Sequence, residues 1–471
     1  MNKAIRQLTF LFLITLSTGY GYTNAIGVSV PDTWNTLWEF DKHPLHFNTY
    51  DHAEGMNIIV YTGYKSQDIH RTFDPETVWR YGAVFETYYR ELNENTALYA
   101  AIDFGNTIHN QQFRSIEKNF YAPYIGFTDT TIGDFQYNGP LIDFFFSRDF
   151  GKRITWGLGI NYGVERGIKD VFTRAESREL NSDVTSSLRF RPVSFLSVDG
   201  WFRRYHGRTA LEAVKEYQDA QVQTWLGYLA YRMENPGSSV DMERNKDGYE
   251  LGTGLLFEQP DGPFSAYLGF SNGAEENDAR KGTKSVASER GYWQRNTSEG
   301  QIWLNYKLAE ASWSLFGTMV HIEDWGKTGI YEALFFETDE SRYMAGIGLQ
   351  LTAIKNTRLE IMARAGSHTW DFHNYLKSQS QTREENEWRI SFDFDIHPFP
   401  VVSYTGGFSV EKQPLHFTWD IPSLTRYLVQ AGIEYQWGFN RICPVLVWGV
   451  ENAKGLDEEN TIWQIRLSVM R

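Results

Sequence analysis

Charged residues recur at alternate positions in two stretches toward the C-terminal end, "RLEIMARAGSH" (358–368) and "RISFDFDI" (389–396). In the first, Arg358, Glu360, Arg364 and His368 share one side of an extended chain. In the second, Arg389, Asp393 and Asp395 do so, with Ile390, Phe392, Phe394 and Ile396 on the other side. The pattern continues through Arg426, Gln430 and Glu434, then Gln464 and Arg466. Guanidinium and carboxylate groups along one face can line an aqueous passage and sort solutes by charge. They can equally form a ladder of ion pairs that satisfies a wet interior, each pair contributing a few tenths to about 1 kcal/mol. As hairpin partners, the two stretches would set Arg358 and Glu360 beside Asp393 and Asp395.

Covalent chemistry has little support in the chain. It has no GxSxG elbow, no P-loop and no GxGxxG ahead of a helix, so no enzyme is expected. Ser367 beside His368 is a nominal nucleophile and base, of the kind any long chain offers by chance. No catalytic residue, metal or cofactor is assigned.

The elements that would position these charges are short alternating segments: 96–105, 154–163, 301–308, 342–353, 358–368, 426–437 and 461–471. Most carry one apolar or aromatic face and one bearing Gly, Gln or charged residues, which is the period of strands whose faces meet different media. Tight connections are expected near 93–95, 149–152, 191–193, 260–263, 309–311, 355–357, 397–400 and 437–440. Long polar stretches between them, at 107–134, 207–246, 274–297, 324–340, 371–386 and 451–459, read as loops, and 209–221 reads as a short helix within one of them. Short turns at one end and long loops at the other are the layout of a transmembrane antiparallel up-and-down β-barrel. Counting back from the C-terminus predicts about 18 strands, with 16 the alternative; the first strand is 56–65, and 389–396 falls in the fourteenth. A large secreted all-β protein is the competing reading. Under the barrel topology His70, His109, His206, His321, His368, His373 and His416 gather at the outer ends, where a metal or an iron porphyrin could be held, although no compact ligand motif such as HExxH occurs. The acidic runs at 273–278, 337–340 and 383–387 read as solvated loop faces that divalent cations could bridge to lipopolysaccharide.

The N-terminus carries Lys3 and Arg6, an apolar run from Leu8 to Leu16, and Thr23 and Ala25 at the positions a signal peptidase requires. Residues 1–25 are therefore expected to be a secretory signal peptide, 26–55 a plug or periplasmic lead-in carrying Trp34, Trp38 and Phe40, and 56–471 the barrel. The single cysteine, Cys443, excludes an intramolecular disulfide. A net charge of −14 over 471 residues argues against nucleic acid as a partner. Aromatic residues make up 16%, with Tyr and Trp (27 and 16) together outnumbering Phe (32), a proportion suited to apolar–water boundaries.

Three stretches, "YGAVFETYYRELNENTALYAAIDFGN" (81–106), "NFYAPYIGFTDTTIGDFQY" (119–137) and "WGLGINYGVERGIKDV" (156–171), resemble an uncharacterised outer-membrane β-barrel family of Gram-negative bacteria. The resemblance covers about the first third of the chain. It implies the barrel fold and the outer membrane, and carries no reaction, ligand or site residue. The chain departs from the best-known barrel classes by finishing on "SVMR" rather than on an aromatic residue. The expected function is passage of a small solute or nutrient across the outer membrane. A non-conducting accessory or surface-binding barrel serving a secretion or nutrient-capture complex is the alternative. The expected partners are outer-membrane lipid, lipopolysaccharide, the barrel-assembly machinery and the small-molecule solute.

Overall fold

A computed structural model describes Leu45 and residues 55–470, except 90–94, 119, 122–123, 172–174, 214–222, 227–229, 234–239, 260–261, 282–287, 330–332, 353–355, 400, 416–420, 439, 454–455 and 457. The described residues form β1 (Gly55–Ser66), β2 (Thr77–Tyr89), β3 (Thr96–Ser115), β4 (Ile125–Phe150), β5 (Ile154–Lys169), β6 (Glu176–Val193) and β7 (Leu196–Ala213). A short hairpin, β8 (Gln223–Leu226) and β9 (Ala230–Met233), comes next. The chain continues through β10 (Val240–Glu258), β11 (Phe264–Lys281), β12 (Ser288–Lys307), β13 (Ala311–Thr328), β14 (Ala333–Leu351) and β15 (Thr357–Asn374). It ends with β16 (Gln379–Phe399), β17 (Val402–Pro414), β18 (Ser423–Trp437), β19 (Asn440–Asn452) and β20 (Glu459–Met470).

All but β8 and β9 are staves of one barrel, eighteen in number. Each pairs antiparallel with its neighbour in the chain, and β7 bypasses the hairpin to pair with β10. Closure comes from β1 against β20, in register from Asn57–Met470 to Lys65–Ile462. A closed sheet leaves no strand edge unpaired, the condition for crossing hydrocarbon with strands.

The faces follow the alternation. On β16, Ile390 is 55% exposed on the outside while Ser391, one residue on, is 1% exposed on the inside. Exposed aromatics ring the outside at two levels. Trp79, Tyr427 and Trp448 lie near the ends opposite the short turns, and Tyr249, Tyr343 and Trp388 near the midpoints of longer strands. Tyr89, Phe150, Tyr306, Trp313, Phe399 and Trp437 lie toward the ends joined by short turns. Tyr427 and Trp437 mark the two levels on β18; about ten residues at roughly 3.3 Å each, tilted by roughly 40°, rise about 25 Å, the height of a bilayer's apolar band.

All eight expected tight connections lie at one end of the barrel, between β2 and β3, β4 and β5, β6 and β7, and so on to β18 and β19. Gly151 (φ +68°) and Gly438 (φ +63°) occupy left-handed positions in two of them, where a side chain would strain the backbone. The other end corrects the sequence reading. Most of the residues expected in long loops are strand: β12, β14 and β16 carry 20, 19 and 21 residues, where about 9–11 suffice to cross a bilayer. The acidic runs at 273–278, 337–340 and 383–387 belong to β11, β14 and β16. Above the lipid boundary both faces of a strand meet water or polar neighbours, so the ladder continues while the alternation fades. Residues 209–213, expected to begin a helix, close β7 against β10, and 214–221, the rest of that segment, lie outside the described residues. The expected signal peptide and N-terminal segment lie outside the described residues, save Gly55 in β1 and Leu45, which is fully buried.

The inner face is held by charge and by rings on glycine. A Cβ at Gly252 would lie 2.0 Å from the Trp201 ring, so that position takes glycine because the indole occupies the space. Arg189 donates from Nε and Nη2 to the two Asp199 carboxylate oxygens, both at 2.7 Å, with both side chains buried. Replacing Arg189 with Met strands Asp199 without its cation. A loss of about 3–5 kcal/mol is expected, read as a lowered unfolding midpoint in detergent.

Candidate functional site

The β3–β4 ladder runs to the Phe113–Ile132 pair and, after a register shift, makes one further pair, Ser115–Thr128; the described residues of 114–131 fold into the barrel mouth. Ile116, Tyr124, Ile125 and Phe127 of this segment are all buried. They share one apolar cluster with inward side chains from β4 round to β15, among them Leu211, Met242, Trp293, Phe336 and Phe372. A loop in contact with more than half the circumference crosses the lumen. Ile125–Thr128 also pairs antiparallel with β8, which pairs in turn with β9, so the hairpin of the β7–β10 connection lies on the inserted segment. Phe73 of the β1–β2 connection packs on Phe120 and Trp225, with centroids 4.3 and 5.1 Å away. The mouth is capped.

Charged groups of the wall anchor the cap. Tyr124 stacks on Phe336 at 3.8 Å and donates its hydroxyl proton to Asp324 at 2.7 Å. Arg295 holds the same carboxylate in a fork of 2.8 and 2.9 Å. Arg244 donates to the Ile125 carbonyl at 3.0 Å and pairs with Glu117 at 2.6 Å, while Glu117 accepts the Phe127 N–H at 2.9 Å. Lys169 of β5 donates to Asp129 at 2.8 Å and to the Thr131 carbonyl at 2.7 Å, and neither Lys169 nor Asp129 is exposed.

Burial raises the Glu117 carboxyl to about 7, against the pull of Arg244 and the Phe127 N–H. Undocking returns it to the ordinary carboxyl range, so the docked state binds more protons between that range and 7. Docking is therefore tightest in mild acid and weakens as pH rises through 7, by up to about 3 kcal/mol in the limit of full exposure. Limited proteolysis of the native protein should cut the 114–131 segment faster at pH 8 than at pH 5.5, and Glu117→Gln should flatten that difference.

Beneath the cap lies a cavity of about 700 Å³ lined by Asp143, Asp183, Arg203, Glu250, Glu275 and Glu299 among others. A second, about 300 Å³, adjoins it through Lys246, Glu275 and Arg295 and reaches Glu117. Across the lumen, on β14 to β18, a third of about 180 Å³ is rich in arginine. Acids predominate on one wall and guanidiniums line the pocket opposite.

The charges singled out in the sequence all lie on the lumen side by strand parity: Arg358, Glu360 and Arg364 on β15, Arg389, Asp393 and Asp395 on β16, Arg426 and Glu434 on β18, and Arg466 on β20. The hairpin register places Arg358 opposite Asp395 and Glu360 opposite Asp393. The pairing is not the expected ladder, because Glu360 and Asp393 are two acids face to face. Arg358 turns along its own strand to Glu360 at 3.0 Å, and Asp393 accepts from Gln430 at 2.9 Å. Arg389 and Arg426 both approach Glu411, at 3.8 and 3.0 Å, and Glu434 approaches Arg441 at 3.8 Å.

Ser367 and His368 occupy opposite faces of β15 and cannot exchange a proton; His368 stacks on Trp370 and meets Glu340 at 2.6 Å. The described histidines of the outer half do not converge on one site. His321 alone comes together with two acids, Glu323 and Asp339, with ligand atoms within 4.8 Å of one another on the barrel's outer surface. His416 lies outside the described residues. The cap itself was missed: residues 107–134 read as a polar loop. Ile116, Phe120, Tyr121, Tyr124, Ile125 and Phe127 were the available signal, since so many apolar side chains seldom stay in water.

Fold and site together define a transmembrane β-barrel with an internal cap above charged cavities. The chain belongs to a family of unknown function, DUF6850, whose family model matches residues 54–400. No curated protein matches it in sequence. Among solved structures it is similar to the outer membrane transporter YddB from Escherichia coli, at 9% identity and a TM-score of 0.41 over 89% of this chain and 81% of that one. It is likewise similar to BauA, the ferric preacinetobactin receptor from Acinetobacter baumannii (7%, 0.42, 89% and 80%), and to a Pseudomonas aeruginosa FadL homologue (11%, 0.36, 97% and 98%).

Proposed function

We propose that the protein is a capped channel of the outer membrane that admits a small solute when the inserted β3–β4 segment moves. The short turns face the periplasm, the long strand extensions face outward, and lipid and lipopolysaccharide surround the aromatic-edged band. The observation that carries this reading is the chemistry of the cap. Its apolar side chains close the mouth, while ion pairs to β5 and β10 and the Tyr124–Asp324 hydrogen bond to β13 give a discrete docked state that can be released. Polar cavities lie directly behind it, where a water-filled route would run.

Planar-bilayer recording tests the reading. The intact protein should be closed for most of the time, with brief openings. Removal of residues 26–55 should raise the current if that segment is a second plug and leave it unchanged if it is a lead-in. The same cap also suits a non-conducting barrel that binds at the cell surface. Silence of the intact protein and of every cap variant would favour that second reading.

A further inference from the structure

The arginine-rich pocket of the β14–β18 wall is lined by Arg342, Arg364, Arg389, Lys412 and Arg426 against two acids, Glu387 and Glu411. Arg342 forms a fork with Glu387 at 2.7 and 2.6 Å, Lys412 meets Glu385 at 2.9 Å, and Arg426 donates to Glu451 at 2.6 Å and to Glu411 at 3.0 Å. Arg364 and Arg389 stand directly opposite each other in the β15–β16 ladder, where like charges repel. Both approach Glu411, at 4.0 and 3.8 Å, an acid already engaged by Arg426.

Arg389 is 6% exposed, and its Nε and Nη2 have no hydrogen-bond partner among the described residues. These two N–H groups form the side edge of a guanidinium, the fork that takes two oxygens of one carboxylate or phosphate. A buried cation with that edge unfilled is unfavourable unless an anion completes it. The pocket, about 180 Å³, has room for one such group.

We propose that this pocket binds the oxoanionic group, carboxylate or phosphate, of the solute the barrel admits, with Arg389 supplying the fork and Arg364 the second positive charge. The proposal rests on the transport reading for the solute's route, and the pocket's chemistry stands apart from it. The remainder of the solute would extend into the lumen, toward the acid-rich wall.

Calorimetric titration of the detergent-solubilised full chain with inorganic phosphate, and in a separate arm with succinate, tests the site. Saturable binding of at least one is expected, and the preferred probe tells a phosphate from a carboxylate site. Arg389→Gln should weaken binding at least tenfold. Arg389→Lys, which keeps the charge and loses the fork, should weaken it measurably; Arg441→Gln, near the turn end, should not. Arg389→Gln removes a buried cation lacking a full partner, so its unfolding midpoint should not fall; should it fail to fold, Arg364→Gln serves in its place with the same expected loss. Absence of binding by either anion, or equal affinity in the folded variants, overturns the site. Binding retained in a barrel that never conducts upholds the site and removes the transport reading. Conduction without binding does the reverse.

Discussion

Replacing residues 114–131 by the dipeptide Asn-Gly should turn a closed barrel into a steadily open one. The ladder from Thr96 to Phe113 and from Ile132 to Phe150 stays intact in this variant, and Asn-Gly supplies the two-residue turn that joins such strands. What disappears is the crossing of the lumen: the buried Ile116, Tyr124, Ile125 and Phe127, and the strand to which β8 attaches. Single-channel recordings should change from brief events to long-lived steps, with mean current up by roughly tenfold or more as the dewetted constriction is removed. An unchanged trace from a folded variant would mean that the barrier lies elsewhere in the lumen.

The Lys169–Asp129 pair should carry the largest single-residue effect on the docked state. Both side chains are wholly buried, and Lys169 also satisfies the Thr131 carbonyl. Lys169→Met leaves Asp129 charged, buried and without its cation, a loss of about 3–5 kcal/mol. Because Asp129 lies in the inserted segment and Lys169 in the wall, the chain escapes that penalty by undocking the segment and leaving the barrel folded. The docked-to-undocked ratio should therefore fall by roughly 10²- to 10⁴-fold, seen as rapid proteolysis within 114–131 and a raised open probability. The barrel's unfolding midpoint should hardly move. The double variant Lys169→Met with Asp129→Leu should recover much of the protection, since an apolar pair of similar volume avoids the stranded charge. Equal proteolysis of Lys169→Met and the parent would show that other anchors hold the cap.

The two predictions concern a segment that alternation could not reveal. Within the bilayer band, lipid on one side and water on the other impose a two-residue period. Ile390, Phe392 and Ile396 could therefore be read as outward, with the acids inward, from types and spacing alone. Beyond the band that contrast is gone. Glu337, Asp339 and Glu384 read as loop, yet lie in hydrogen-bonded strands, because a ladder needs backbone partners rather than an apolar face. The register of β15 on β16 also followed from the hairpin, whereas the choice of ion-pair partners did not. Arg358 has both Glu360 and Asp395 within reach of its stem, and only the side-chain geometry selects between them.

By itself, then, the sequence determined a closed barrel of about eighteen strands, which face of each strand meets lipid, and which end carries the short turns. These are consequences of local period and turn length, and every short window of the chain repeats them. Only the tertiary structure decided that residues 114–131 turn inward, that Arg295 and Tyr124 meet on Asp324, and that Arg364 and Arg389 oppose each other beside one shared acid. Such contacts join residues as far apart as 200 positions, where strand tilt and closure, which no local period encodes, set who meets whom.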